Sequence, residues 1–339
     1  MPVSLNVNEN THPLPSEVVD DIVASLAEAV RSANRYPDRE FIALREALAD
    51  YLGGGLSARE VWAANGSNEV LQQVLQAFGG PGRSLLSFTP TYSMYPLLAD
   101  ATDTRWVPVP RPSDYALTPE FVARVLREHQ PALAILCGPN NPTGTSLDLE
   151  TVRAAHDAFD GMLIVDEAYI EFDDEHPSAI ELLASRPRLM VSRTMSKAFA
   201  FAGVRLGYLA ADAAVVDALR LVRLPYHLSA LTQAAATAAL RHADKMLATV
   251  AEIRAQRERL AAALVDLGYQ VHPSGSNFLL VGGFTDPSAT FEALFDRGIL
   301  IRNLGIDGHL RLTAGTEAET SALIAALREL GPGGATSRR

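Results

Sequence analysis

Two short segments of the sequence carry side chains that could do chemistry where buried strands end. In the first, residues 162–169 read MLIVDEAY, so an apolar run leads directly into Asp166, Glu167 and then Tyr169. Open α/β sheets place their ligands beyond the carboxyl ends of their strands, which favours a functional role for this acidic pair. A helix cap or a surface carboxylate is the structural alternative, and this segment alone leaves both open.

A strand that ends in acidic residues is also typical of the Walker-B strand in nucleotide hydrolases. That interpretation requires a loop of the type Gly-x-x-x-x-Gly-Lys-Ser/Thr elsewhere in the chain. The nearest glycine-rich segment, GPNNPTG at residues 138–144, has no lysine after its last glycine. The sequence therefore argues against nucleotide hydrolysis.

The second segment is SRTMSK at residues 192–197, which puts Lys197 31 positions after Asp166 (197 − 166). Hydroxyl side chains precede this lysine and Arg205 follows it, a combination that can surround a phosphate group. A phosphate site beside an amine suggests a phosphorylated aldehyde such as pyridoxal phosphate (PLP). PLP needs a lysine for a Schiff base, a carboxylate for its pyridine nitrogen, phosphate donors and a flat ring to stack on, and all four side-chain types are present.

The elements that must position these residues follow a regular alternation. Between about residue 60 and residue 230, short β-rich runs alternate with helical segments, which predicts a largely parallel sheet covered by helices. The candidate strands are residues 61–64, 85–88, 132–137, 162–165, 189–191 and 206–210. Two further strand candidates, 278–281 and 299–301, have a helical segment between them and indicate a smaller α+β domain.

The predicted organisation has four parts. Residues 1–28 form an N-terminal arm and the start of a helix, which pack with the small domain. Residues 29–228 form the large domain and residues 229–331 the small carboxyl-terminal domain. Residues 332–339 contain too little apolar material to pack and are predicted to be a disordered tail.

The composition narrows the classes of partner. With 339 residues, 48% of them hydrophobic, the chain can bury a large core and divide into more than one domain. The net charge is −11 and acidic and basic residues are mixed along the length, so no basic surface is concentrated for nucleic acid or an anionic membrane. Small molecules are therefore the expected partners.

The remaining sequence features favour a cytoplasmic protein without a metal. The single cysteine, Cys137, lies in an apolar run, which predicts a buried thiol in a reducing compartment. The amino terminus lacks the basic start and apolar stretch of a secretory signal, and charged residues interrupt every apolar run before the ~20 residues that would span a bilayer. The eight histidines show no spacing typical of metal ligands.

The sequence resembles a known family, the fold-type I PLP aminotransferases of the histidinol-phosphate aminotransferase group. The likeness covers about nine-tenths of the chain and its motifs stand in family order. They are LNVNEN (5–10), NRYPD (34–38), NGSNE (65–69), PTYSMY (90–95), NNPTG (140–144), DEAY (166–169), RTMSKAF (193–199), AGVRLGY (202–208) and LRLTAG (310–315). The resemblance implies a large domain with a mostly parallel seven-stranded sheet and a smaller α+β carboxyl-terminal domain.

The resemblance also implies the catalytic residues. Lys197 would hold PLP as a Schiff base and then, once freed, act as general acid and base. Asp166 would keep the pyridine nitrogen protonated through a charge-assisted contact. Asn141 and Tyr169 would donate to the phenolic oxygen of the cofactor.

Further residues would bind the rest of the cofactor. Tyr92 matches the ring-stacking aromatic of the family, with core packing as its alternative. Tyr36 would come from a second subunit, which implies a homodimer with shared active sites. The phosphate would be held by Gly66, Ser67, Asn68, Thr194, Ser196 and Arg205.

Substrate recognition would fall to two arginines and two amides. Arg311 resembles the arginine that holds the carboxylate of glutamate or 2-oxoglutarate, and a surface position is its alternative. Arg302 would assist with a substrate phosphate. Asn8 and Asn277 are weaker candidates for the pocket, and capping or turn roles suit them equally.

The expected reaction is transamination of L-histidinol phosphate with 2-oxoglutarate, giving imidazole acetol phosphate and glutamate in histidine biosynthesis. Aromatic residues Phe199 and Phe201 stand after Lys197 where the family often has Gly and Leu, and Asn68 stands where it commonly has Asp. An aromatic aminotransferase of the same group is therefore one alternative. A PLP decarboxylase is another, and a PLP-binding regulator is disfavoured because the chain lacks room for a DNA-binding domain.

Overall fold

A computed structural model describes residues 3–332 of the chain. The strands among them are β1 (Val3–Ser4), β2 (Val61–Ala64), β3 (Ser84–Thr89), β4 (Arg105–Pro110), β5 (Leu133–Cys137), β6 (Met162–Asp166), β7 (Leu189–Thr194), β8 (Gly207–Ala211), β9 (Gln270–Val271), β10 (Phe278–Gly282), β11 (Ile299–Leu300) and β12 (Leu310–Thr313).

The α-helices of the same residues alternate with these strands. They are α1 (Ser16–Arg31), α2 (Ile42–Leu52), α3 (Ser67–Phe78), α4 (Met94–Ala101), α5 (Pro119–His129), α6 (Leu149–Ala158), α7 (Ala213–Val222), α8 (Ala230–Leu240), α9 (Ala243–Leu247), α10 (Thr249–Asp266), α11 (Pro287–Phe295) and α12 (Glu317–Leu330). None of these helices is long and apolar enough to cross a membrane.

A seven-stranded sheet forms the centre of the fold, with strand order β2-β8-β7-β6-β5-β3-β4. Strand β8 is antiparallel to both of its neighbours, and the other pairs are parallel. Strands β5 and β7 are buried along their whole length, as strands covered by helices on both faces must be. The predicted mostly parallel seven-stranded sheet is confirmed.

Strand β4 is not among the strands predicted from the sequence. Its sequence is RWVPVP, and a proline cannot donate a backbone hydrogen bond to a neighbouring strand. Because β4 pairs only with β3 at the edge of the sheet, Pro108 and Pro110 are tolerated there. The edge position of β4 therefore explains why a strand can contain the two prolines that kept it from being predicted.

The carboxyl-terminal part of the chain builds a second, smaller layer. Strands β12, β10 and β9 form an antiparallel sheet, and β1 pairs in parallel with β11. Leu5 packs into the hydrophobic cluster of this part, together with side chains of α10 and α12. The first strand of the chain therefore belongs structurally with its last third.

Helix α1 packs differently from the arm that precedes it. Its buried residues Val18 and Ile22 join the hydrophobic cluster beneath the large sheet, as do Ala235 and Ala239 of α8. The amino-terminal segment thus contacts both parts of the molecule, and the division at residue 228 stays a prediction. The predicted tail lies outside the described residues except for Pro332, whose carbonyl accepts a hydrogen bond from the Thr285 N–H at 3.3 Å.

Candidate active site

The carboxyl ends of β3, β5, β6 and β7 open into a cavity of about 430 Å³. Parallel strands present their carboxyl ends at one edge, so loops that are far apart in sequence meet there. Thirteen of the sixteen predicted site residues line this cavity: Asn8, Ser67, Asn68, Tyr92, Asn141, Asp166, Tyr169, Thr194, Ser196, Lys197, Arg205, Arg302 and Arg311. Gly66, Asn277 and Tyr36 do not.

Asp166 lies at the end of β6 and is buried. Burial raises the pKa of its carboxyl group, and hydrogen bonds from Tyr95 and Ser192 oppose that shift. The Tyr95 hydroxyl donates to Oδ2 at 2.7 Å and the Ser192 hydroxyl donates to Oδ1 at 2.8 Å. Both carboxylate oxygens are therefore held by neutral donors at the floor of the cavity.

Glu167 points the opposite way, because successive residues of an extended chain alternate sides. Its carboxylate accepts from Arg193, from the Ser178 hydroxyl and from the Ala179 N–H. The Arg193 guanidinium is buried and also lies 3.7 Å from Glu171. The acidic pair of the sequence thus divides into one carboxylate in the cavity and one in a buried ion-pair network behind it.

Lys197 comes three positions after the end of β7 and lines the cavity. Its Nζ donates to the Val7 carbonyl at 2.8 Å and lies 5.9 Å from the centre of the Tyr169 ring. Burial and, to a smaller extent, the positive charge of Arg311 lower the pKa of this amine to about 8, while Glu9 opposes the shift. A substantial fraction of the amine is therefore unprotonated, and nucleophilic, near neutral pH.

The phosphate-binding candidates surround the start of α3. Ser67 and Asn68 are its first two residues, so their N–H groups have no partner within the helix and point toward the cavity. Gly66, with φ +86°, precedes them, and a Cβ there would lie 2.6 Å from a guanidinium nitrogen of Arg205. Glycine at position 66 therefore lets the arginine lie against the loop, where backbone donors and a cation converge.

The hydroxyl groups of this region differ in their partners. The Thr194 hydroxyl donates to the Leu206 carbonyl at 3.2 Å, so its proton is used within the protein. The Ser196 hydroxyl accepts from Arg205 at 3.5 Å, which leaves its own proton available to a ligand. With the α3 N–H groups and Arg205, this donor set fits a phosphate monoester.

Tyr169 and Asn141 lie where the N-terminal arm crosses the cavity. The Tyr169 hydroxyl accepts from Asn8 Nδ2 at 3.0 Å and from Asn141 Nδ2 at 3.4 Å, so its own proton remains free to donate. Burial raises the pKa of Tyr169 well above its usual value, which keeps the hydroxyl protonated. Asn277 lies behind this wall and donates to the Asn8 carbonyl at 3.1 Å instead of facing the cavity.

The two arginines share one wall. Backbone hydrogen bonds of 3.0 and 3.2 Å join Arg302 and Arg311 in an antiparallel bridge. The Arg311 guanidinium donates to Asn141 Oδ1 and to the Asn6 carbonyl, each at 2.7 Å, and burial lowers its pKa to about 10. Among residues 3–332 its Nε has no hydrogen-bond partner although it is buried.

The two tyrosines that the sequence places at the cofactor, Tyr92 and Tyr36, lie in different surroundings. Tyr92 lines the cavity, and its hydroxyl donates to Asn68 Oδ1 at 3.1 Å. Tyr36 lies outside the cavity, 80% exposed and stacked on Tyr226 with ring centres 4.5 Å apart. Phe199 and Phe201 are buried in the core of the large domain and do not line the cavity, which removes the reason to expect an aromatic substrate.

Several residues near the site were not predicted from the sequence. Tyr95 and Ser192 lie in the quoted motifs, but only their contacts with Asp166 distinguish them from core residues. Val7 and Asn6 contribute backbone carbonyls that accept from Lys197 and Arg311, and a side-chain pattern cannot indicate such contacts. The other unpredicted lining residues are Pro90, Thr91, Ser93, Cys137, Pro142, Ala168, Leu304 and Ile306.

The fold and this cavity together define a class of protein, the PLP-dependent enzymes of fold type I. A lysine, a buried carboxylate, the start of helix α3 and a tyrosine ring converge at the carboxyl edge of a mostly parallel seven-stranded sheet. The chain belongs to the aminotransferase class I and II family, whose sequence profile matches residues 1–327.

Relatives and solved structures agree with this membership. The chain is 56% identical to the histidinol-phosphate aminotransferase of Paenarthrobacter aurescens, covering 100% of this chain and 92% of that one. It is 55% identical to the same enzyme of Thermobifida fusca, with 95% and 88% covered. The crystal structure of histidinol-phosphate aminotransferase from Sinorhizobium meliloti in complex with pyridoxal-5′-phosphate superposes with a TM-score of 0.86 at 27% identity, covering 96% and 90% of the two chains. The cofactor is PLP.

Proposed function

We propose that this enzyme transfers the amino group of L-histidinol phosphate to 2-oxoglutarate, giving imidazole acetol phosphate and glutamate, as a step of histidine biosynthesis. The observation that carries the proposal is the pair Arg302 and Arg311, two cations joined by a backbone bridge on the cavity wall nearest the arm. One substrate carries a phosphate and the other two carboxylates, so a site that serves both in turn needs cations on this wall. The names of the 52–56% identical relatives support the same substrate.

Lys197 is the proposed catalytic base and cofactor lysine. PLP, when bound, supplies an electron sink for the negative charge that develops at the substrate carbon. The lowered pKa of Lys197 suits a group that must both release and accept a proton near pH 7 to 8. After release from the cofactor, its Nζ has the Val7 carbonyl as a hydrogen-bond acceptor that holds it within the cavity.

Asp166 is the proposed partner of the pyridine nitrogen. An anion at the floor of a buried cavity favours protonation of that nitrogen, and the low local dielectric strengthens the effect. Tyr169 and Asn141 are the proposed donors to the phenolic oxygen. Tyr169 keeps a free proton for this role because it accepts the amides of both asparagines.

Substrate binding is proposed to divide between the two arginines. Arg311 would hold a carboxylate, or the corresponding part of the phosphate, through the guanidinium donors that it now gives to Asn141 and to the Asn6 carbonyl. Arg302 would bind the phosphate of histidinol phosphate. Leu304 and Ile306, which follow Arg302 along the cavity, would pack against the apolar part of the substrate.

A homodimer is proposed as the working form. Tyr36 is 80% exposed, and Leu221 and Leu224, at the end of α7 and just after it, are 86% and 76% exposed. Exposed apolar side chains of this size favour contact with a second copy. In that dimer Tyr36 would reach the partner subunit's phosphate site.

A cytoplasmic location is also proposed. It is supported by the buried, unpaired thiol of Cys137, which suits a reducing compartment, and by the biosynthetic reaction.

A spectroscopic half-reaction tests the function. The PLP-loaded enzyme is mixed with L-histidinol phosphate without any keto acid, and the visible cofactor band is followed while the products are identified by mass spectrometry. Loss of the band with formation of imidazole acetol phosphate is expected. A band that phenylalanine removes and histidinol phosphate leaves unchanged would move the assignment to an aromatic aminotransferase. Histidinol phosphate has no carboxyl group, so the decarboxylase alternative is tested with an α-amino acid supplied without a keto acid, and release of CO2 from it would indicate a decarboxylase.

A further inference from the structure

Behind Asp166, and outside the lining of the cavity, lies a tyrosine that the mechanism above does not use. Tyr95 is completely buried, and its hydroxyl donates to Asp166 Oδ2 at 2.7 Å. Burial raises its pKa well above 10, so the hydroxyl keeps its proton at every working pH. A tyrosine in this state can act toward the carboxylate only as a hydrogen-bond donor.

Ser192 completes the arrangement from the neighbouring strand. Asp166 and Ser192 are register partners on the parallel strands β6 and β7, so their side chains emerge side by side on one face of the sheet. The serine hydroxyl donates to Asp166 Oδ1 at 2.8 Å and is itself completely buried. Each carboxylate oxygen therefore has one fixed donor and a second lone pair that this donor does not use, while Asp166 itself lines the cavity.

A hydroxyl donor stabilises an ionised carboxylate and gives little to the protonated acid. Burial alone favours the neutral acid form of Asp166, and these two donors act against burial. In a pair formed by a carboxylate and a pyridinium, the shared proton goes to the more basic partner. Donors that lower the basicity of the carboxylate therefore keep the proton on the ring nitrogen.

We propose that Tyr95 and Ser192 are positioning residues that hold Asp166 as an oriented anion, so that the cofactor ring stays protonated. The inference rests on the proposed role of Asp166 and adds to it two residues with a defined effect. A merely structural role would predict lost stability and no change in the electronic state of the bound cofactor.

The test is a pH titration of the visible absorption band in the PLP-loaded enzyme. A protonated ring withdraws electrons and lowers the pKa at which that band titrates, so Tyr95→Phe is expected to raise this pKa by about one unit. Ser192→Ala acts on the other oxygen of the same carboxylate and is expected to shift the pKa in the same direction. With ring-¹⁵N-labelled PLP, the nitrogen resonance is expected to move toward that of a neutral pyridine.

Two comparisons separate positioning from structure. Tyr269→Phe removes another buried tyrosine hydroxyl, one without a hydrogen-bond partner in residues 3–332 and remote from Asp166, and should titrate as wild type does. In an Asp166→Asn background, Tyr95→Phe should cause no further shift, because the group through which it acts is gone.

The outcomes distinguish the two proposals. A wild-type enzyme without a visible band after PLP is supplied would overturn the proposed function and this inference together. A normal wild-type titration that Tyr95→Phe and Ser192→Ala both leave unchanged would overturn the inference alone. An equal shift from Tyr95→Phe with Asp166 and with Asn at position 166 would also overturn it. If Tyr95→Phe does not fold, Ser192→Ala and the nitrogen resonance decide.

Discussion

The amine of Lys197 is expected to lose its proton near pH 8 in the cofactor-free enzyme, well below the pKa of an ordinary lysine. With a pKa of about 8 in place of 10.5, about one-tenth of the amine is free at pH 7, compared with about three parts in ten thousand. The predicted gain in free amine at neutral pH is therefore about 300-fold.

The composition of the chain makes this prediction unusually easy to measure. The sequence contains only two lysines, Lys197 and Lys245. Lys245 lies on the surface and pairs with Glu17 at 2.6 Å, far from the cavity. After removal of PLP, trace acetylation across a range of pH, followed by mass spectrometry of the two lysine peptides, reports Lys197 with Lys245 as an internal reference.

Two substitutions should move the midpoint in opposite directions. The charge of Arg311 lowers the pKa of Lys197 and that of Glu9 raises it. Arg311→Gln should therefore raise the midpoint of Lys197 labelling, and Glu9→Gln should lower it, while labelling of Lys245 stays the same in both variants. A wild-type midpoint close to 10.5, or shifts of the same sign in the two variants, would refute the reasoning.

Three further predictions follow from contacts in and behind the cavity. Asp166→Asn should retain PLP but lose at least about a hundredfold in kcat/KM, measured by steady-state kinetics, because a neutral amide cannot hold the ring charge. Arg302→Gln should raise KM for histidinol phosphate about tenfold and leave KM for glutamate nearly unchanged, and equal effects on both would remove Arg302 from the phosphate site. Arg193→Met should lower the free energy of unfolding by about 3–5 kcal/mol in urea titrations, because Glu167 and Glu171 would remain buried without their cation.

The sequence predicted the site best where a reactive side chain stands at or near the end of a strand. Asp166 directly follows a buried apolar run, and Lys197 comes three positions after β7 ends at Thr194, so their place at the carboxyl edge of the sheet could be predicted from local pattern. The ordered motifs then supplied the class of enzyme. Strand β4 could not be found in this way, because two prolines in six residues disguise a strand that is possible only at an edge.

The contacts that remained hidden are those between distant segments. Whether Phe199 faces the cavity or the core depends on the turn after Lys197, and it faces the core. Asn277 was a candidate for the pocket but lies one layer behind it, in contact with the Asn8 backbone. The residues around Tyr95 in the sequence indicate only an aromatic side chain of the core, and its role becomes visible only from its hydrogen bond to Asp166.

The arm that crosses the cavity also determines when the active site can exist during synthesis. Arg311 holds the Asn6 carbonyl, and Thr313 donates to the Asn8 side chain, in each case across 305 positions of sequence. At ribosomal rates of about 5–20 residues per second, the first ten residues are made roughly 15–60 seconds before their partners. For that interval the arm has no strand to pair with and no arginine to hold it. The nascent large domain can form its sheet in the meantime, but the site on that sheet is completed only after residues 299–313 have been made and the arm has paired with them.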